Sequence, residues 1–423
     1  MQSAVEITER TLAETLDGLA RFTGVGPGVT RLAYDAAWRD AHRWLRERAA
    51  SLGLAATADA AGNLFFHDPA LKPGADAPHA LFVGSHLDSV VNGGRFDGAY
   101  GAVSGMLIAA ELRGVGKLPI VGFITCEEEE SRFRAHLMGA RSVLGKVRAA
   151  ELDAVVDVAG VSWRAALEDA RAAGCAAPLA AGDAPFRPPF RPATMLELHI
   201  EQGPVLEREG GALGIVEHIA GYRRLIARLS GEARHSGTTP MRERRDALVA
   251  AAEVILATVA LARELDAPAV ATAGNVRTYP GLFNVVPGEC ELWLEVRHPG
   301  AAALDTMVLE LARRCRAISA QRGIEVEIER ASGEEPTPLS PALASEAAKL
   351  AAELGLSHRR MTSGAGHDAM EFARAGVPTL MVFVPSRGGI SHSPEEFTAP
   401  DALFLGYRFT RELARRLAER GAS

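Results

Sequence analysis

An α/β fold, built on a mixed sheet with helices on its faces and interrupted by a smaller α+β insert, is what this sequence predicts, and three observations lead there. The chain has 423 residues, beyond the size at which a single hydrophobic core stops growing, so two domains are expected. Short apolar runs alternate with stretches of helical periodicity, the grammar of a sheet covered by helices. Between residues 217 and 332 that grammar changes.

The elements follow in order. Residues 8–22 and 34–52 place apolar side chains at helical spacing among charges, and Gly53 ends the second stretch as glycine does at helix C-termini. Residues 80–84 read as a strand leading into Ser85-His86, and 101–112 as a helix. Residues 119–125 form a second apolar run, which leads into four consecutive glutamates. The Pro-, Ala- and Gly-rich stretch 174–192 predicts an extended surface loop. A strand over 195–200 carries His199, and one over 379–384 leads into a Ser-Arg-Gly-Gly loop. Within 217–332, Asp246 is placed to cap a long helix over 247–265, and 270–276, 290–296 and 323–328 read as strands. Residues 1–216 and 333–423 are thus expected to form one α/β domain around the α+β insert. Polar groups clustered after strand C-termini are where open α/β sheets hold ligands.

Composition narrows the partners. With 46 basic against 53 acidic residues the formal charge is −7, which argues against a phosphate-coated partner such as nucleic acid. The first residues lack a basic start followed by an apolar stretch, so no signal peptide is expected. The longest apolar run, 247–262, is broken by Glu253 and is too short to span a bilayer, so no membrane partner is expected. Cys126, Cys175, Cys290 and Cys315 are scattered, without a C-x-x-C pair. Neither a disulfide framework nor a thiolate metal site is expected, and a cytoplasmic location follows as the default.

The strongest local signal is Gly84-Ser-His86-Leu-Asp88, continuing through a glycine-rich loop to Asp97-Gly98. A histidine at a strand end with an aspartate in the following loop makes a partial metal site. Imidazole and carboxylate suit zinc, and a carboxylate can bridge two metals. Asp88 is better placed as a partner for the imidazole N–H of His86 than as a ligand. The run Cys126-Glu-Glu-Glu-Glu130-Ser-Arg-Phe133 is costly to bury unless cations are near. Of two neighbouring glutamates, one would ligate and the other would take a proton from water. His199 and His392 add two imidazoles. Counted with His86, Asp97 and a glutamate they give five N/O donors without sulfur, a set suited to a two-metal hydrolytic site. In the insert, His235, Asn284 and Arg297 supply a neutral donor, an amide and a guanidinium, which suit a substrate with a polarised carbonyl and a free carboxylate.

These motifs, from G-S-H-x-D-S to G-I-S-H-x-P and in order along nearly the whole chain, resemble those of the hydantoinase/carbamoylase family of amidases. That group includes N-carbamoyl-L-amino acid hydrolases, β-ureidopropionases and allantoate amidohydrolases, within the clan of zinc carboxypeptidase- and aminoacylase-like metallohydrolases. The segment Glu197-Leu-His-Ile-Glu-Gln202-Gly-Pro matches the family almost letter for letter. The resemblance implies two divalent metals per subunit, zinc or manganese with cobalt or nickel as options. It places them on His86, Asp97 as the bridge, Glu129, His199 and His392, with Glu128 as the base. It implies substrate contacts from Gln202, His235, Asn284, Arg297 and Gly366, a tetrahedral oxyanion held by His235, and a carboxylate held by Arg297. It also implies that the insert is a lid and dimerisation domain of a homodimer, and that the substrate is a small ureido acid. N-carbamoyl-L-amino acids come first and allantoate follows closely. A dipeptidase or aminoacylase of the same clan, and a binding protein that kept the fold without the chemistry, are the alternatives. Two departures stand out. Glu130 replaces a glycine usual in E-E-E-G-S-R-F, which leaves a register with the roles on Glu129 and Glu130 open. Glu295 replaces a common aspartate.

Overall fold

The computed structural model describes residues 6–265 and 268–421. The described residues divide into two compact units. One comprises residues up to Glu217, Leu339–Met361 and those from Gly366 on; the other comprises His218–Pro338 and Thr362–Ala365. The chain ends expected in the first domain, 1–5 and 422–423, lie outside the described residues.

The first unit is built on a mixed sheet with strands in the order Ala55–Ala58, Leu64–His67, Ile120–Thr125, His79–His86, Arg191–Ile200, Thr379–Val384 and Leu213–Ile219. Its four middle strands run parallel to one another. Ile120–Thr125 and Thr379–Val384 are buried at every position, so they read as continuous apolar runs rather than alternating ones, as strands covered on both faces do. Helix Ala99–Glu111 packs on three of the parallel strands. It is buried at all but its last residue, which explains an apolar composition with no polar stripe. Helices Glu9–Ala20 and Ala36–Ser51 begin at Thr8 and Asp35, whose side chains accept from backbone N–H groups of the first turn, as N-caps do.

The second unit holds an antiparallel four-stranded sheet in the order Glu325–Glu334, Gly221–Ser230, Glu289–His298 and Val270–Tyr279. Helices Ala247–Glu264 and Ala301–Arg322 pack on this sheet around a separate apolar cluster. Strand Gly221–Ser230 alternates buried and partly exposed positions, the mark of a sheet covered on one face only. The unit's last strand runs past residue 332, where the sequence pattern placed the boundary. Among the described residues no helix is long and apolar enough to cross a membrane.

Candidate active site

Four parallel strands end at one edge of the large sheet, and each delivers chemistry there. His86 is the last residue of its strand and is paired beside Thr125, after which the acidic run begins. His199 lies one residue from the end of Arg191–Ile200, beside Phe383 of the strand that precedes the Ser386–His392 loop. Asp97 precedes helix Ala99–Glu111, and Gly98 between them has φ 62°. A Cβ at Gly98 would lie 2.3 Å from the His86 ring, so only glycine lets Asp97 approach this closely.

The two buried imidazoles are held in one tautomer. Nδ1 of His86 lies 3.0 Å from the backbone oxygen of Asp88, and Nδ1 of His199 lies 2.8 Å from that of Ile200. A carbonyl accepts only, so both protons sit on Nδ1 and both Nε2 lone pairs face inward. They meet Asp97 Oδ1 at 3.6 and 3.2 Å. His392 Nε2 lies 3.4 Å from Asp97 Oδ2 and 3.3 Å from Glu129 Oε2. His86, Asp97 and His199 form one group of donor atoms, and Asp97, Glu129 and His392 a second, each within 4.8 Å. Lone pairs aimed at carboxylate oxygens repel unless a cation lies between them. The donor set, nitrogen and oxygen without sulfur, fits divalent ions such as zinc or manganese.

Proton affinities carry the same message. Burial opposes the charged form of His86, yet Glu128, Asp97, Asp88 and Glu129 raise its pKa well above the usual value. The hydrogen bond to Asp97 lifts His392 to about 9. Burial, with the carboxylate of Asp97 adding to it, lifts Glu129 to about 7, and burial lifts Glu128 well above the carboxylate range. Burial also works against Asp97, but hydrogen bonds to His199, His392 and His86 hold it well below that range. The common cause of these shifts is negative charge gathered in a buried place, which is the charge a divalent cation would balance.

The acidic turn has an internal division of labour. Asp88 was expected to take the imidazole N–H of His86 with its side chain; instead its backbone oxygen does so, and its carboxylate lies 4.0 Å away. That carboxylate accepts from the N–H groups of Glu128 (3.2 Å) and Glu129 (3.1 Å), because Asp88 lies beyond the strand end and turns toward the neighbouring loop. Glu127 Oε1 accepts from Arg132 and Phe133 N–H, which closes the turn. Glu128 Oε2 lies 3.7 Å from His86 Nε2. Glu127 and Glu130 both have a left-handed backbone, with φ 52° and 53°, the conformation that glycine adopts without steric cost.

The remaining predicted residues fall in both units. Gln202 donates from its amide to Asp97 Oδ2 (2.7 Å) and Ser391 Oγ (3.2 Å), so its NH₂ is committed to a candidate ligand. Gly366 lies two residues before helix Asp368–Arg374 of the first unit. His235, Asn284 and Arg297 belong to the second. His235 Nδ1 accepts from Gly237 and Thr238 N–H, which places its proton on Nε2 as a donor. Pairing of His235 with Val285 brings Asn284 beside it. Arg297 donates from Nε to Glu295 and from Nη1 to the Gly364 oxygen, both at 2.7 Å.

Several supporting residues escaped the sequence reading. Arg31, buried, donates from Nε to the Leu87 oxygen. Glu197 accepts from Ser85 Oγ and Ala369 N–H, and Asp368 accepts from Thr125 Oγ1; both lie in motifs whose other residues drew attention. Glu396 accepts from Phe96 and Asp97 N–H. The partners of these three carboxylates lie far away in the sequence, 112 positions for Glu197 with Ser85, 243 for Asp368 with Thr125 and 300 for Glu396 with Phe96, so no local signal marks them.

Comparison with known proteins adds relatives. Residues 82–416 match the model of peptidase family M20/M25/M40. The chain is 34% identical to an allantoate amidohydrolase of Bacillus subtilis, covering 97% of this chain and 98% of the relative. It is 37% identical to an N-carbamoyl-L-amino-acid amidohydrolase of Paenarthrobacter aurescens, covering 92% and 93%. A crystal structure of a hydantoinase/carbamoylase family amidase from Burkholderia multivorans superposes with a TM-score of 0.88 at 30% identity, covering 98% of this chain and 99% of that one.

Proposed function

The chain belongs to peptidase family M20/M25/M40, and on that premise we propose that it is a metal-dependent amidohydrolase cutting the ureido or carbamoyl C–N bond of a small carboxylate-bearing substrate. N-carbamoyl-L-amino acids rank first and allantoate second, the substrates named for relatives that align over nearly their whole length. The observation that carries the reading is the convergence of two histidine lone pairs and the His392–Glu129 pair on the two oxygens of Asp97.

His86, Asp97, Glu129, His199 and His392 are assigned as the holders of two divalent ions. Such ions, when bound, polarise the ureido carbonyl and acidify water. Glu128 is the general base: its backbone is pinned by Asp88, its carboxylate lies 3.7 Å from His86 Nε2 at the donor cluster, and burial raises its proton affinity. It takes the proton of the attacking water and returns it to the departing nitrogen. The Nε2–H of His235 is a donor suited to the oxyanion, with Asn284 beside it. Arg297, its plane set by Glu295 and Gly364, takes the substrate carboxylate, and Gln202 and Gly366 complete the substrate contacts. The donor group of Asp97 and His392 takes in Glu129 and not Glu130, which supports the register in which Glu128 is base and Glu129 ligand. The second unit is assigned as lid and dimerisation domain of a homodimer, and the protein as cytoplasmic.

The test is ammonia release from N-carbamoyl-L-amino acids, N-carbamoyl-β-alanine, allantoate and dipeptides. The metal-free protein is first loaded separately with zinc, manganese, cobalt or nickel. Turnover confined to ureido acids is expected. Turnover of dipeptides alone, or full activity without metal, would overturn the reading. Equilibrium sedimentation at micromolar concentration should show a dimer, and a monomer would refute that part.

A further inference from the structure

The chain segment that carries His392 grips the segment that carries Asp97 at a second point. Glu396, four residues after His392, is 4% exposed. Its Oε1 accepts from the N–H groups of Phe96 at 2.7 Å and Asp97 at 3.2 Å, and its Oε2 lies 3.4 Å from Ser391 Oγ. Ser391 in turn donates to Asp97 Oδ2 at 2.8 Å. Residues 391–396 therefore hold the backbone of Asp97 at one end and its side chain at the other.

The fit depends on a missing side chain. A Cβ at Gly94 would lie 2.0 Å from Glu396 Cδ and 2.1 and 2.2 Å from its two oxygens. The backbone of Gly94 is not in the left-handed region, so closeness rather than conformation calls for glycine there. The geometry required of Asp97 is exacting, since one oxygen must face two imidazoles while the other faces a third. A loop aspartate free to shift by an ångström would lose that alignment. With two consecutive N–H groups anchored on one carboxylate oxygen, and with Gln202 and Ser391 on Oδ2, little freedom is left.

We propose that Glu396 is a positioning residue that sets Asp97 against His392 through its acceptor oxygen, with Gly94 as the clearance it needs. The proposal rests on the assignment of Asp97 and His392 as metal ligands. Glutamine keeps an oxygen that can accept both N–H groups, and alanine does not.

The test measures zinc affinity of the full-length metal-free protein by competition with a chromophoric chelator. The melting temperature of each metal-free variant serves as the control for folding. Glu396→Ala and Gly94→Ala should each weaken zinc binding by about tenfold to a hundredfold, the range for residues that orient ligands. Glu396→Gln should bind close to wild type. Adding Gly94→Ala to Glu396→Ala should cost nothing further, since the side chain it would strike is gone. Wild-type affinity in both alanine variants would overturn the proposal, as would glutamine no better than alanine, or additive losses in the double variant. Should Glu396→Ala fail to fold, the Gln variant and Gly94→Ala still decide. A wild type that binds no zinc overturns the metal assignment itself, and this proposal with it.

Discussion

Glu128 and Glu129 are neighbours in sequence whose carboxylates reach different atoms, His86 Nε2 at 3.7 Å and His392 Nε2 at 3.3 Å. Glu128→Gln is expected to keep metal binding and to lower turnover by at least about a hundredfold, the scale of a lost general base. Glu129→Gln should instead lower metal content, measured by elemental analysis after dialysis. Reversed phenotypes, or the same pair of effects at Glu129 and Glu130, would shift the register by one. Arg297 carries the argument for a carboxylate. Its guanidinium already meets Glu295 and Gly364, and the single nitrogen of a lysine cannot span both and a substrate carboxylate from one plane. A charge-assisted bond is worth roughly 1.5–3 kcal/mol, so Arg297→Lys should lower kcat/KM by about tenfold or more. Equal wild-type efficiency on carboxylate and carboxamide forms of one substrate would make Arg297 a structural residue. At this scale the sequence was informative wherever a side chain sits in a compact motif, as His86, Asp97, His199 and His392 do. It was silent on Glu396, whose acceptor contact with Phe96 spans 300 positions. It also misdirected Asp88, since nothing local says that a backbone oxygen takes the imidazole proton while the carboxylate turns to the acidic run.

Elements were legible where they are long or where chemistry marks their ends. The strand expected over 379–384 is Thr379–Val384, and the helix expected after Asp246 is Ala247–Glu264, with Asp246 accepting from Leu248 and Val249 N–H. Strands Ala55–Ala58 and Leu64–His67 were not read, because four residues are too few to show a period. Helix Ala301–Arg322 was also passed over. It buries only Leu304, Met307, Leu311, Cys315 and Ser319, a stripe too narrow to stand out among its charges. The cap can be tested: Asp246→Ala should cost about 1 kcal/mol in urea unfolding, and no loss would show that the N–H groups find other partners. Helix Ala36–Ser51 offers a test by pH. His42 is buried in it against Trp38. Burial, helped by Arg46 and Arg43, pushes its pKa down to about 3. In the unfolded chain the value is about 6.5, so as pH falls the unfolded state takes the proton first. The stability conferred by neutral His42 is complete above about pH 6.5 and drains as pH falls toward 3, at up to about 1.4 kcal/mol per pH unit. His42→Leu should flatten that dependence in unfolding experiments between pH 7 and pH 5. An unchanged slope would mean the imidazole is protonated in the fold.

For the molecule as a whole, the division of labour between units makes metal removal a local event. All five proposed ligands, and Glu128, belong to the first unit. The apolar cluster beneath them is distinct from the one packed under Leu225, Leu292, Leu294 and Leu311 in the second. A ligand that binds only the folded state stabilises it by about 2.7 kcal/mol when present at a hundred times its Kd. The gain falls on whichever cooperative unit forms the site. Removing the ions should therefore leave Asp97, Glu128 and Glu129 repelling one another across the parallel-strand edge, with protons as their only counter-charge. We expect hydrogen exchange after chelation to quicken at residues 84–98, 125–133, 195–203 and 386–397, the segments that carry the donors and their anchors. Exchange in strands Gly221–Ser230 and Glu289–His298 should stay as it was, because their hydrogen bonds close within the second unit's own sheet. Re-addition of zinc or manganese should restore protection in the first set. Equal loss in both units would mean that they unfold as one cooperative body. No change in either would mean that the histidine and carboxylate cluster holds no structural ion, and the proposed chemistry would lose its footing.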